Sequence, residues 1–373
     1  MWEFGISRLA DVTGLDIIGM PVYMAVRPAS RSLSVSQGKG LDRAAAKASA
    51  LMESVEGWHA ERVNLPIVYE SFRALRRSSS VVDIARLPRR RPGTDSSTPM
   101  PWVEGYDLVS RGPMWVPMEC VSLNLVRPDH LGGVFTMSSN GLASGNHILE
   151  AAAHGLLEVV ERDALALWRA RGGLDGTGPL ADLNAVADPG VLGLLHHLRD
   201  CGIAVALADA TTDTAIATFV CTLVEDSPML PRWTLKGMFA GYGSHLDPNV
   251  AMARAITEAV QSRLTHIAGS RDDMFHYDTQ ANPDDVAGSS GFLNRDREPL
   301  AYADLSTDTF EGDLEVILGR LRTVGVTSAV VVDLSRDDIG VPVVKVVVPG
   351  LESNPDSANY APGPRARAVS VSA

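Results

Sequence analysis

Lysine is nearly missing from this chain: four lysines accompany 29 arginines among 373 residues. The bias reads as genomic base composition, and no mechanism follows from it. Cysteine is scarce as well. Cys120, Cys201 and Cys221 have neither metal-ligand spacing nor the even count of a disulfide framework, so all three read as buried small apolar residues in a reducing compartment. No run approaches the roughly 18 apolar residues that a membrane span needs. The opening MWEFGISRLADVTGLD lacks the basic start and apolar core of a secretory signal. A cytoplasmic protein without membrane contact is expected. The formal charge of −12 excludes a general nucleic-acid binder, because phosphate neutralisation needs basic surface. The one short basic run, Arg86 and Arg89 to Arg91, falls in an expected loop and reads as solvated. Neither a Walker loop nor a GxGxxG fingerprint occurs, and the nine histidines form no HxxxH pair or Ser/His/Asp order.

Apolar residues, at 45%, are numerous enough to bury a substantial core. Paired strand signals precede helical ones: strands around 18–36 and a helix near 41–62; strands near 101–124 and 133–138 and a helix near 147–170; strands near 203–224 and 233–243 and a helix near 249–267. A helix near 311–324 and strands at 328–333 and 341–348 close the series. The pattern predicts an α/β (α+β) fold of repeated β-β-α units, with mostly antiparallel sheets packed against helices. Loops are expected at 85–100, 171–190 and 269–292. Residues 1–353 read as a single domain and 354–373 as a tail.

Three of the predicted helices carry acidic or amide side chains three or four residues apart. On the first, Ser49, Glu53 and Glu56 fall within a strip of roughly 60° at 100° per residue. On the second, Glu150, Glu158 and Glu161 follow Asn146. Glu161 does not lie on a polar face, because Leu157, Leu165 and Trp168 flank it, and a carboxylate in an apolar arc is expensive without a cation or hydrogen-bonding partner. On the third, Arg254, Glu258, Gln261 and Thr265 form a polar strip able to contact phosphate or order a metal ligand. Glycine-rich segments precede each helix: Ser36 to Gly40, Ser139 to Asn146 and Gly241 to His245. They read as turns whose backbone N–H groups face an anion. Oxygen-only ligands in this number suit Mg²⁺ or Ca²⁺ over zinc, and Mg²⁺ commonly bridges carboxylates and nucleotide phosphates.

These segments resemble the YcaO superfamily of ATP-dependent peptide-backbone-modifying enzymes. The resemblance runs nearly end to end, through GISRLADVTGLDIIGMPV, SQGKG with SALMESVE, SSNGLASGNHILEAAAHGLLEVVERDAL, GYGSHLDPNVAMARAITEAVQSRL, GSRDDM and VVDLSRDDIGVPVVKVVVPGLE. It implies a YcaO-type ATP-binding fold in which Glu53, Glu56, Glu150, Glu158 and Glu161 hold magnesium. It further implies that Arg8, Ser49, Asn146, Arg162, Glu258 and Gln261 contact ATP, with Glu161 and Arg162 catalytic. The implied chemistry begins with addition of a nucleophile to a backbone amide carbonyl. ATP then phosphorylates the oxyanion, and the oxygen leaves as phosphate. A substrate side-chain thiol or hydroxyl gives an azoline, an external sulfide a thioamide. Azoline-forming members tend to end in a PxPxP tail, whereas this chain ends PGPRAR and then AVSVSA and carries no fused leader-binding domain. It is more similar to stand-alone, TfuA-associated members that install thioamides. A peptide or protein substrate, a TfuA-like sulfur-delivery partner and a homodimer are the implied partners. The alternatives are an azoline-forming cyclodehydratase and an ATP-binding assembly factor without catalysis.

Overall fold

Fourteen strands and seven helices are described in the computed structural model, which covers residues 1–90, 96–126, 133–176, 178–225, 238–271, 295–357 and 360–372. Strands β1 (Arg8–Asp11), β2 (Val22–Val26) and β3 (Val35–Lys39) form an antiparallel three-stranded sheet. Helix α1 (Arg43–Glu61) follows at once, capped by Asp42, whose carboxylate accepts the Ala45 N–H at 2.8 Å. The helix lies unusually close to β3. A Cβ added to Gly38 would stand 1.9 Å from the Ala50 nitrogen, so only glycine permits the approach.

The second sheet joins β4 (Ile67–Ser71), β5 (Pro99–Asp107), β13 (Val330–Asp333), β14 (Val343–Val347) and β7 (Leu142–Ser144) in that order, with β6 (Gly112–Pro117) also paired to β5. The short helix α2 (Phe72–Leu75) continues from β4. Against this sheet lie α3 (Ile148–Ala170) and α6 (Phe310–Thr323), which share a core with β13 and β14 through Leu156, Val160, Ile317, Leu321 and Val344. The third sheet runs β11 (Met238–Ser244), β10 (Thr218–Glu225), β9 (Ile203–Asp209), β8 (Leu180–Ala181) and β12 (Arg297–Glu298). Helices α4 (Pro189–Asp200) and α5 (Pro248–Ala268) cover it, and its core merges with the first sheet's through Val22, Met24, Phe219 and Ile256. Among the described residues every strand pairing is antiparallel except that of β8 with β12, which agrees with the expected class.

Several local expectations need correcting. Residues 133–138 form no strand; Phe135 makes a single bridge to Arg89, and the Val134 and Phe135 N–H groups go to the Glu119 carboxylate at 3.0 and 2.9 Å. A buried carboxylate has taken the donors a ladder would need. Strands β1, β4, β7, β8 and β12 and helices α2 and α4 fall outside the expected elements. Within 171–190 the chain makes short 3₁₀ turns and β8 before α4 begins at Pro189. Of the expected loop at 269–292, residues 272–292 lie outside the described residues. Beyond Asn354 the chain forms α7 (Pro364–Ser372), tied to α3 by Arg365, whose Nε lies 2.9 Å from Asp163. Arg86 and Arg89 are half-buried, not solvated: they donate to the carbonyls of Gly325 at 3.2 Å and Ile84 at 2.8 Å; Arg91 lies outside the described residues. Among the described residues no helix is long and apolar enough to cross a membrane.

Candidate active site

The first acidic strip is held from two sides. Glu53 accepts the Gln37 N–H of β3 at 3.2 Å, and Glu56 accepts the Ser144 hydroxyl of β7 at 2.6 Å. Ser49 lies one turn before Glu53, half-buried on the same face. Both carboxylates line a recess that solvent enters while protein surrounds it. Desolvation there raises the pKa of each. Glu56 is pushed up to about 8, with repulsion from Glu53 and Glu158 added and the Ser144 hydrogen bond opposing.

On α3, Glu158 accepts the Gly141 N–H at 3.2 Å and is pushed up to about 7, chiefly by burial and against the pull of Arg162. Glu161 is 2% exposed, as its apolar arc implied. Its partners come from the end of β11, where the Ser244 N–H donates at 3.0 Å, and from Arg162, 3.4 Å away. Burial still raises its pKa, and nearby Glu258 adds to the effect. For Arg162, burial opposes protonation, but Glu161, Glu258 and Glu158 outweigh it and hold the guanidinium charged over the Tyr242 ring, 5.7 Å from its centroid. Asn146 and Glu150 pair with each other at the helix start, backbone N–H to carboxylate at 2.7 Å. Glu150 therefore stands two turns, roughly 12 Å of axis, from Glu158.

Helix α5 supplies Glu258, whose carboxylate meets Lys39 of β3 at 2.7 Å. Burial opposes ionisation there, but Lys39 and Arg162 overcome it and keep Glu258 charged. Arg254 donates to His154 Nε2 of α3 from both terminal nitrogens, at 3.4 and 3.3 Å. Thr265 closes the strip by donating to Gln37 on β3. Glu53, Glu56, Glu158, Glu161, Arg162 and Glu258 thus share one electrostatic neighbourhood at the meeting of α1, α3 and α5. Gln261 lies one turn past Glu258, half-buried. Arg8 is exposed at the start of β1, and among the described residues no hydrogen bond or ion pair ties it to the carboxylates.

The geometry now on the page coincides with a known family. The model of the YcaO cyclodehydratases, described as ATP- and Mg²⁺-binding, matches residues 37–352. The chain belongs to the YcaO family. An uncharacterized protein of Methanothermobacter thermautotrophicus is 37% identical over 93% of this chain and 90% of its own length. A Rhizobium leguminosarum bv. trifolii protein, described only by its place in the tfuA 3′ region, is also 37% identical, over 94% of this chain and 84% of its own. Among solved structures, YcaO from Methanopyrus kandleri bound with AMPPCP and Mg²⁺ superposes with a TM-score of 0.73 at 24% identity, covering 97% of this chain and 91% of that one. A heterocyclase in complex with substrate and cofactor gives 0.75 at 23% identity; this chain spans 93% of itself but only 50% of that protein. At these identities the two structures show a shared fold.

The donor set of this YcaO chain fits magnesium with a phosphate ligand better than a bare ion. Among the described residues no three His, Cys, Asp or Glu side chains stand close enough to hold a metal by themselves. Instead the carboxylates are spread along a charged recess, each oriented by a backbone or hydroxyl donor. Mg²⁺ is commonly bound by one or two carboxylates plus substrate phosphates and water, which suits that spacing.

Two readings of sequence segments change. The glycine segments before α1 and α5 are strand, not anion-facing turns: Gly38 lies in β3, and Gly241 and Gly243 in β11, where a Cβ on Gly241 would stand 2.1 Å from the Ala259 nitrogen. Their role is to let helices press onto strands. Gly141, with φ +78, does sit in a turn. Of the cysteines only Cys221 is buried; Cys120 and Cys201 are half-buried, and burial raises all three thiols. Lys39 and His154 were missed. His154 stands four residues from both Glu150 and Glu158, a spacing that could have marked it; the surrounding protein and the adjacent Arg254 charge hold its pKa below the ordinary value, so it stays a neutral acceptor.

Proposed function

We propose that this protein uses ATP and Mg²⁺ to modify a peptide backbone amide, and that the modification is thioamide formation. The observation that carries the site assignment is the cluster of carboxylates at the junction of α1, α3 and α5, Glu161 buried, Glu56, Glu158 and Glu258 half-buried and Glu53 open to solvent, beside a charged Arg162. Glu53, Glu56, Glu158 and Glu161 would hold magnesium at one end of the recess. Glu150, the fifth carboxylate assigned to magnesium on the family pattern, lies two turns before Glu158 on α3, and Asn146 just ahead of the helix, so the site is elongated as a nucleotide is. Ser49, Arg8, Gln261 and Glu258 are assigned to ATP contacts on the family pattern. Bound there, ATP supplies the phosphoryl group that turns an amide oxygen into a leaving group.

The chain's own residues then have defined tasks. Arg162, fixed over Tyr242 and against Glu161, offers positive charge to phosphoryl oxygens as negative charge shifts among them. Glu161 fixes Arg162 and is itself fixed by the Ser244 N–H. Arg254, aligned by His154, adds a second cation on the α5 side. The polar strip keeps both charges facing the recess.

The preference for sulfide over a substrate side chain as nucleophile rests on likeness to a protein described by its place in the tfuA 3′ region. It brings with it a TfuA-like partner that delivers sulfur; a homodimer is proposed on family resemblance. The test is mass analysis of candidate peptides incubated with protein, partner, ATP and sulfide. Replacement of one amide oxygen by sulfur supports the reading. Loss of one water per modified Cys, Ser or Thr makes the chain an azoline-forming cyclodehydratase. Tight ATP binding with no product leaves the assembly-factor reading.

A further inference from the structure

Lys39 and Lys345, two of only four lysines in the chain, lie beside the carboxylate recess. Lys39 faces into it and meets Glu258. Lys345 lies behind it, on β14, and is 2% exposed. Its ammonium donates to two carbonyls of one turn, Ser138 at 2.5 Å and Asn140 at 2.7 Å. The next residue, Gly141, returns its carbonyl to the Val346 N–H at 2.7 Å and gives its own N–H to Glu158 at 3.2 Å. The turn from Ser138 to Gly141 is therefore pinned at three points by adjacent residues of one strand, and its free donor is aimed at a single carboxylate. Glycine is required at that point: φ is +78, and a Cβ would stand 2.4 Å from the Val346 carbonyl.

Electrostatics runs through the same atoms. Lys345 and Glu158 attract each other, and at 2% exposure the amine is kept from bulk water by the protein packed around it. A buried ammonium is costly unless its charge and donors are used. Arginine, abundant elsewhere in the chain, would bring a broad planar fork where two neighbouring carbonyls need a compact donor.

We propose that Lys345 is the positioning residue for Glu158: it braces the Ser138–Gly141 turn that orients this carboxylate and places a positive charge behind it, setting its strength as a ligand for a divalent cation. The inference rests on the reading of Glu158 as a magnesium ligand. Partners of this kind behind a metal ligand change metal affinity by about 10- to 100-fold when removed.

The test is calorimetry of ATP binding across a Mg²⁺ series for the wild type, Lys345→Met and Lys345→Arg, with denaturant unfolding of each alongside. A Lys345→Met midpoint shifted to higher Mg²⁺ by about tenfold or more is expected, with Lys345→Arg between it and the wild type. A merely structural lysine would lower unfolding stability and leave the midpoint in place; that result overturns the inference while wild-type magnesium dependence preserves the nucleotide site. Loss of magnesium dependence in the wild type itself overturns both. If Lys345→Met does not fold, Lys345→Arg decides alone: a midpoint unchanged from wild type contradicts the proposal.

Discussion

Helix α1 carries two kinds of glutamate five residues apart, Glu61 buried and Glu56 half-buried, and the contrast shows what the recess is for. At its end, Glu61 has each carboxylate oxygen satisfied: Arg27 bonds both, at 2.7 and 3.0 Å, while Ser32 and Arg62 add further donors. Burial opposes its ionisation, yet Arg27 and Ser32 overcome this and hold its pKa below the ordinary value. Five residues back, Glu56 has the Ser144 hydroxyl and, beyond that, other carboxylates, and its pKa rises to about 8. The first site is finished by the chain itself. The second gathers more carboxylates than its neighbours can neutralise, so Glu56 holds its proton until a cation displaces it.

Removing the partner of the finished pair should have the largest effect on folding. Arg27→Ala would leave Glu61 buried and unpaired, with an expected loss of about 3–5 kcal/mol in denaturant unfolding. Glu56→Gln should do the reverse, leaving unfolding nearly unchanged or stabilised while weakening magnesium-dependent ATP binding. If both variants lose stability alike, the distinction between the two glutamates fails. Gly241→Ala tests the scaffold that brings α5 to the recess; overpacking against Ala259 is expected to cost about 1–3 kcal/mol.

A pH experiment sharpens the contrast further. In the ligand-free chain Glu56 and Glu158, raised from 4.5 to about 8 and about 7, retain protons that the unfolded chain releases. The folded state thus binds more protons across that window, and their contribution to stability declines as pH rises from 4.5 through about 8. Glu61, with its lowered pKa, contributes oppositely: its stabilisation is present above the ordinary carboxylate value and is lost as pH falls through the folded one. Binding of Mg²⁺ and ATP should strengthen over the upper window and release protons, measurable as a buffer-dependent heat near neutral pH. The smallest effect is expected from Asp42→Ala, which removes the α1 cap at about 1 kcal/mol and should leave the Mg²⁺ midpoint alone.

The three acidic helices were legible because burial on one side imprints a helical period on the sequence. The expected ends at 41–62, 147–170 and 249–267 fall within two residues of Arg43–Glu61, Ile148–Ala170 and Pro248–Ala268. Glu161 announced itself by breaking that period. What completes the site was not legible, because it depends on pairings between distant segments: Lys39 with Glu258, Ser144 with Glu56, Ser244 with Glu161. No local pattern encodes which strand N–H will face which carboxylate. The rarity of lysine was such a signal, read as base composition alone, although two of the four lysines border the site. The glycines before α1 and α5 looked like turns because close helix–strand approach and turn formation call for the same residue. The 133–138 stretch looked like a strand, and only the buried Glu119 shows why its donors were taken.

The central claim is that the recess at α1, α3 and α5 is a magnesium-nucleotide site built on clustered carboxylates. Calorimetry of ATP binding with and without Mg²⁺, on the wild type and on a folded Glu161→Gln variant, tests it most directly. Magnesium-dependent binding in the wild type that the variant loses is the expected result. Equal binding by both, or binding by neither, would contradict the claim and leave the three acidic helices as structural elements.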